Sequence, residues 1–266
     1  MKKFKSYFLI ALIGIAFSSC SDTEKNNSSK GLLVEKKLSN EGSFESEILA
    51  IDEEIATSGE LLSSMRYTKE NGAVILVHAH LSKQGKIIKI DEEYNEGDDG
   101  NYGMNSFYLK NDKVFASRAY FENKAKKPES EFVERISYYS DDEKVVKTLE
   151  RKAAYEEDIG SLAFKPGILK ELKIDRAKRA LNQEGEFSTN FQGFVLVQVL
   201  RYIVVGGSEE GGYTSAVRVD QEDDFVRFLV QNESECMNKR LQLSFQNITD
   251  DTGFEYQSYV QGSFKK

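Results

Sequence analysis

Residues 103–121 read GMNSFYLKNDKVFASRAYF, and this stretch decides the fold. Apolar residues recur at every second position on either side of Asn111-Asp112. That period of two belongs to extended chain, whose side chains alternate between two faces. An Asn-Asp pair between two such runs marks a tight hairpin turn. The stretch therefore predicts two antiparallel strands, Gly103–Lys110 and Lys113–Phe121. Phe115, Ala119 and Phe121 are expected on one face, with Phe107 and Leu109 meeting them across the hairpin.

The same period extends in both directions. Ala73–Ser82, Lys86–Tyr94, Glu131–Tyr139 and Lys144–Tyr155 also read as strands, joined by Gln84-Gly85 and by Ser140-Asp141-Asp142. Six strands with short polar connections and no crossover helices predict an antiparallel meander, because parallel strands need long helical returns. Before it, Phe44, Ile48, Ile51, Ile55, Leu62 and Met65 recur at steps of three, four and seven. That spacing predicts a helix over 43–66, capped at Ser43, weakened at Gly59 and packed on the sheet.

Beyond residue 160, Pro166 stands where a first helical residue is favoured and Gly185 where a helix stops. Leu169, Leu172, Ala177, Ala180 and Leu181 form a narrow apolar stripe between them. Phe194–Val205 reads as one long strand, apolar on both faces and hence central. Tyr213–Val219, a short capped helix over Phe225–Val230, a strand through Leu241, Leu243 and Phe245, and Phe254–Phe264 complete the chain. The expected class is α+β and mainly antiparallel. A helix plus β-meander over 31–160 is followed by a helix plus small β-barrel or sandwich over 161–266. A five-stranded oligonucleotide- or oligosaccharide-binding barrel is one topology compatible with the second part.

The first residues carry a different signal. Lys2, Lys3 and Lys5 precede the uncharged run Tyr7–Phe17 (YFLIALIGIAF), then Ser18, Ser19 and Cys20. Eleven apolar residues are too few to cross a bilayer as a helix but fit the h-region of a secretory signal. The arrangement resembles the lipobox of bacterial lipoproteins, in a variant with Phe17 and Ser19 like that of Bacteroidota-type lipoproteins. The resemblance implies cleavage after residue 19 and lipid on Cys20. It makes residues 1–19 a signal peptide and 20–30 a polar tether, and implies anchorage in the cell envelope, most simply at the outer membrane.

Composition narrows the partners. Without residues 1–19 the chain holds 33 basic and 44 acidic residues, a net of −11. An acidic body with no basic cluster argues against nucleic acid, whose phosphates require Lys and Arg. Membrane contact is therefore expected through lipid, and partners among envelope proteins or glycans. If Cys20 carries lipid, Cys236 has no cysteine to pair with and reads as a small buried residue.

No catalytic or cofactor motif stands out, and a non-enzymatic binding or accessory protein is the leading expectation. Three weaker ones accompany it. His78 and His80, the only histidines, lie two apart, which on a strand puts both rings on one face, a usable start for a metal site. The acidic stretch Asp91–Asp99 (DEEYNEGDD), read as a loop, has the oxygen content of a calcium loop but not its full spacing. A carboxylate pair of the glycosidase kind would make the protein a glycan hydrolase. The glycine-rich stretch 206–212 contains two glutamates and no lysine, so it reads as a hairpin rather than a phosphate loop.

Overall fold

The computed structural model describes residues 41–97, 100–124 and 131–265. Residues 1–40, on which the expected signal peptide, Cys20 and the expected tether fall, lie outside them. Glu41–Lys266 forms one compact unit. It is α+β and mostly antiparallel β, as the alternation predicts.

Helix α1 (Glu41–Ser58) leads into two short strands, β1 (Leu61–Ser63) and β2 (Tyr67–Thr68). The predicted helix thus ends eight residues early. Gly59 adopts φ +65, a left-handed conformation that costs glycine little and stops the helix. The meander follows: β3 (Ala73–Leu81), β4 (Ile87–Glu96), β5 (Tyr102–Lys110), β6 (Lys113–Asn123), β7 (Glu131–Tyr139) and β8 (Val145–Ala153), each antiparallel to the next. All six lie within two residues of where the alternation places them.

A one-turn helix, α2 (Glu156–Ile159), and a two-residue strand, β9 (Lys165–Pro166), come next. Helix α3 spans only Asp175–Asn182. Pro166 sits in β9 instead of opening a helix, and Gln183, at φ +56, caps α3 before Gly185 is reached. A 3-10 turn (Gly185–Phe187) leads to β10 (Asn190–Val197), β11 (Leu200–Gly206) and β12 (Thr214–Val219). The segment 194–205 is thus a hairpin rather than one central strand. It turns at Gln198-Val199 with Gln198 at φ +56, a turn without the glycine or asparagine that usually announces one. Helices α4 (Asp224–Gln231) and α5 (Glu233–Cys236) precede β13 (Leu241–Thr249) and β14 (Glu255–Phe264). Asp223 caps α4 by accepting the Val226 amide at 2.8 Å.

The strands form a single sheet in the order β10-β11-β12-β2-β3-β4-β5-β6-β7-β8-β9, with β1 on β3 and β14 on both β12 and β13. The sheet does not close into a barrel. It continues across residue 160 because β2 pairs with both β3 and β12. Its inner face carries the main core: Ile75 and Val77 of β3, Ile90, Phe107, Ile203 and Val217, packed against Ala177 and Ala180 of α3 and Phe187. Its outer face carries a second cluster, in which Phe44, Ile48 and Ile51 of α1 cover Tyr108, Phe115, Ala116 and Tyr138. Phe115 therefore parts from Ala119 and Phe121. A register shift at Tyr108/Leu109 turns it outward, onto Phe44.

Candidate functional site

Among the described residues, a cleft of about 850 Å3 opens between β1, α3 and β13. Three stretches far apart in sequence build it. Pairing of β1 with β3 (Leu61↔His80, Leu62↔Ala79) sets Leu61 and Leu62 at the mouth, where they are 47% and 53% exposed. The floor is Ala79, Ile90 and Leu109, all buried, and Leu243. From α3 come Lys178, Leu181 and Asn182, and from β13 come Ser244, Phe245 and Gln246.

Two glutamines hold the frame. Gln183 donates its side-chain amide to the Leu243 carbonyl at 3.1 Å, and its own carbonyl accepts Arg240 at 2.7 Å, which ties the end of α3 to β13. Gln257 of β14 accepts the Arg66 backbone amide at 2.8 Å and donates to the Ser64 carbonyl at 3.0 Å and to Asn247 at 3.1 Å. It fills the gap where the chain passes from β1 to β2. These bonds satisfy backbone groups that would otherwise be stranded beside the cleft.

The chemistry of the cleft is apolar below and polar at the rim. Among the described residues, the Lys178 side chain makes no ion pair or hydrogen bond. Asp112 is the only carboxylate in the lining. A cavity of this size, with an apolar floor and a few polar groups, has the dimensions of a small-molecule site.

The residues singled out from sequence lie elsewhere. His78 and His80 share the outer face of β3, as their spacing predicts, but each is held by a different neighbour. His78 Nδ1 is 2.9 Å from the Ser63 hydroxyl, and His80 Nε2 is 2.8 Å from Asp91. Among the described residues, no cluster of three or more His, Cys, Asp or Glu side chains has the arrangement of a metal site. His78 lines a second cavity of about 540 Å3 on the outer face, with Leu76, Tyr202, Val204 and Tyr256. That cavity holds one carboxylate, Glu255.

The acidic stretch is not a loop through Glu96; Asp91–Glu96 belong to β4, and Asp98 and Asp99 lie outside the described residues. Alternation sends its carboxylates to opposite faces. Asp91 faces outward to His80, Ser106 and Lys89, whereas Glu92 faces inward to Arg176 and Asn105. Two carboxylates, Glu96 and Glu171, line a third cavity on the inner face of the meander, together with Arg135, Arg176 and Lys170. Gly206 ends β11, and residues 207–213 connect it to the antiparallel β12, as expected of a hairpin. Cys236 is buried and free.

These placements give the protein an acid dependence. Burial lowers the His78 pKa from its ordinary 6.5, and the pull of Glu93 in the opposite direction is weaker. The folded state then binds this proton less readily than the unfolded chain. Its contribution is complete above pH 6.5 and is lost as pH falls through the lower folded value. Burial alone would raise Asp91, but the His80 hydrogen bond, the Lys89 charge and the Ser106 hydroxyl outweigh it and hold Asp91 below 3.8. Its contribution is present above pH 3.8 and disappears in stronger acid. Urea unfolding across pH 7.5 to 3 should therefore show stability falling in two stages. His78→Asn should flatten the first stage and leave the second; an unchanged first stage would show that His78 does not cause it.

No family model, curated protein or solved structure matches this chain.

The cleft escaped sequence reading because its walls come from residues 61, 178 and 243, and no local pattern joins them. One sign of it was present: Leu62 fits the helical stripe, yet the structure leaves it half in solvent at the cleft mouth.

Proposed function

We propose that this is a lipid-anchored envelope protein that binds an elongated amphiphile, an apolar chain with an anionic head, in the cleft between β1, α3 and β13. The observation that carries this reading is the passage, within one cleft, from Ala79, Ile90, Leu109 and Leu243 to the Lys178 ammonium at the rim, which has no partner among the described residues. An acyl chain gains free energy from each methylene removed from water. A cation at the rim selects an anionic head and fixes which end enters. Leu61 and Leu62 extend the apolar surface to the mouth, where a chain would begin to enter. Attachment at Cys20 is supported by the lipobox resemblance of residues 1–20. It would hold such a protein where amphiphiles are present.

The test uses a dansyl-labelled undecanoic acid, whose emission rises when its environment becomes apolar. The wild-type protein is expected to bind it in a saturable manner. Lys178→Glu should weaken binding about tenfold or more, from the loss of one charge-assisted contact. Leu181→Glu should abolish it, while Lys144→Glu, on the turn between β7 and β8, should leave it unchanged. An absence of saturable binding by the wild type, or equal binding by all three variants, would refute the assignment. Detergent-phase partitioning of the wild type but not of Cys20→Ala would test the anchor separately.

A further inference from the structure

The β10–β11 hairpin ends in a finger that the cleft does not use. Residues 195–200 read VLVQVL and contain no charge. Val199, in the turn, is 92% exposed, Leu196 is 65% exposed, and Val195 and Val197 are about half exposed. Strand register gives the finger two faces. Val195, Val197, Leu200 and Tyr202 share one of them; Leu196 lies on the other, paired with Arg201. Both faces are thus aliphatic toward the tip. The turn itself puts Gln198 at φ +56, where Gly, Asn or Asp would fit with less strain. Folding alone does not explain an exposed aliphatic tip in that position.

We infer that this finger inserts into the interfacial layer of a lipid bilayer, as a second and non-covalent membrane contact. A protein surface would cover one face of a protruding ribbon, whereas a fluid apolar phase covers both. From the Val195↔Tyr202 pair to the turn the finger measures about 10 Å, which matches the depth at which interfacial elements sit. Tyr202 stands at its base beside Arg201, whose guanidinium is paired with Glu222, and aromatic side chains favour the headgroup level. The hairpin has unpaired backbone groups on its outer edge, so insertion stops in the hydrated interface and does not reach the hydrocarbon centre. Because the finger is uncharged, the net negative body does not prevent contact with a zwitterionic surface. The inference rests on attachment at Cys20, since 20 residues separate Cys20 from Glu41 and, even fully extended, reach only about 70 Å.

The experiment reconstitutes the full lipidated chain on phosphatidylcholine vesicles. An environment-sensitive NBD label is placed at position 199 by Val199→Cys, or at position 251 on the β13–β14 turn by Asp251→Cys. Cys236 is buried and stays unlabelled. Emission at 199 is expected to shift blue and rise severalfold on vesicles, with stronger quenching by spin labels at headgroup depth than at the bilayer centre. Emission at 251 should not change. Leu196→Asp, at an exposed position, should cancel the rise at 199 without altering the circular dichroism spectrum.

Protein that floats with vesicles but keeps its label at 199 in water overturns the finger and leaves the anchor. An inserted finger whose flotation is indifferent to Cys20→Ala overturns the anchor and leaves the finger. Protein that never floats overturns both. A rise at 199 that follows protein concentration without vesicles assigns the tip to a second copy and overturns the membrane assignment.

Discussion

Arg176→Ala is expected to lower the unfolding free energy by about 3–5 kcal/mol, the range for removing one member of a buried ion pair. Arg176 grips Glu92 with two bonds, Nε to Oε1 at 2.7 Å and Nη2 to Oε2 at 2.9 Å, and Asn105 adds a third at 2.8 Å. Glu92 is only 1% exposed. Without the guanidinium its carboxylate must remain charged in a poorly solvated place or take up a proton. Arg176 is more open to water, so Glu92→Leu alone should cost less than Arg176→Ala. Replacing both by leucine should recover most of the loss, since a packed apolar pair avoids the desolvation of two ions. Urea melts of the three variants check this, and a loss under about 1 kcal/mol for Arg176→Ala would show that the pair does not fasten α3 to the sheet. Because Lys178 and Leu181 lie on the same helix, Arg176→Ala should also weaken fatty-acid probe binding.

The second large effect is expected at Phe187. Its ring is fully buried, 4.8 Å from Tyr67 and 5.0 Å from Tyr213 between centroids. It joins β2, the segment before β12 and the 3-10 turn. Phe187→Ala should cost about 3–5 kcal/mol through lost burial and the cavity left behind. In a domain of this size that corresponds to a fall of roughly 10 °C in Tm, readable by calorimetry. Phe187→Leu should keep more than half of the stability, since it retains most of the volume. Equal losses for the two substitutions would mean that ring geometry, not volume, dominates.

The meander was legible because each strand has one wet and one dry face, so alternation survives in the sequence from Ala73 to Ala153. The capped helix at Asp223 was legible for a similarly local reason: an aspartate side chain meets an amide three residues on. Three features were hidden by tertiary context. Gly59 ended α1 while the apolar stripe ran on to Leu62 and Met65, because Met65 belongs to the sheet core instead. The run Phe194–Val205 imitated a buried central strand, because a finger apolar on both faces has the same composition as a strand buried on both faces. The span from Pro166 to Gly185 carried helix signals at both ends, but only Asp175–Asn182 is helical: Pro166 pairs with Leu149 in the sheet, and Leu172 and Ile174 reach the core from irregular chain. For the site, strand geometry put His78 and His80 on one face. It could not show that Ser63 and Asp91 each claim one of them.

The pairing of Gln257 with Ser64 and Arg66, and of β2 with β12, has a consequence for the order in which the molecule is completed. These contacts join residues 146 to 193 positions apart. Synthesis delivers the meander first, through residue 153, while the flank of β3 beyond β2 still awaits its partners. High separation between contacting residues slows folding, because a long loop must close before any bond rewards it. During that interval a strand edge with unpaired amides can recruit another nascent chain. Shortened forms ending before residue 214 are therefore expected to aggregate rather than fold as a smaller domain, and holdase chaperones would be most needed between the emergence of β8 and that of β14.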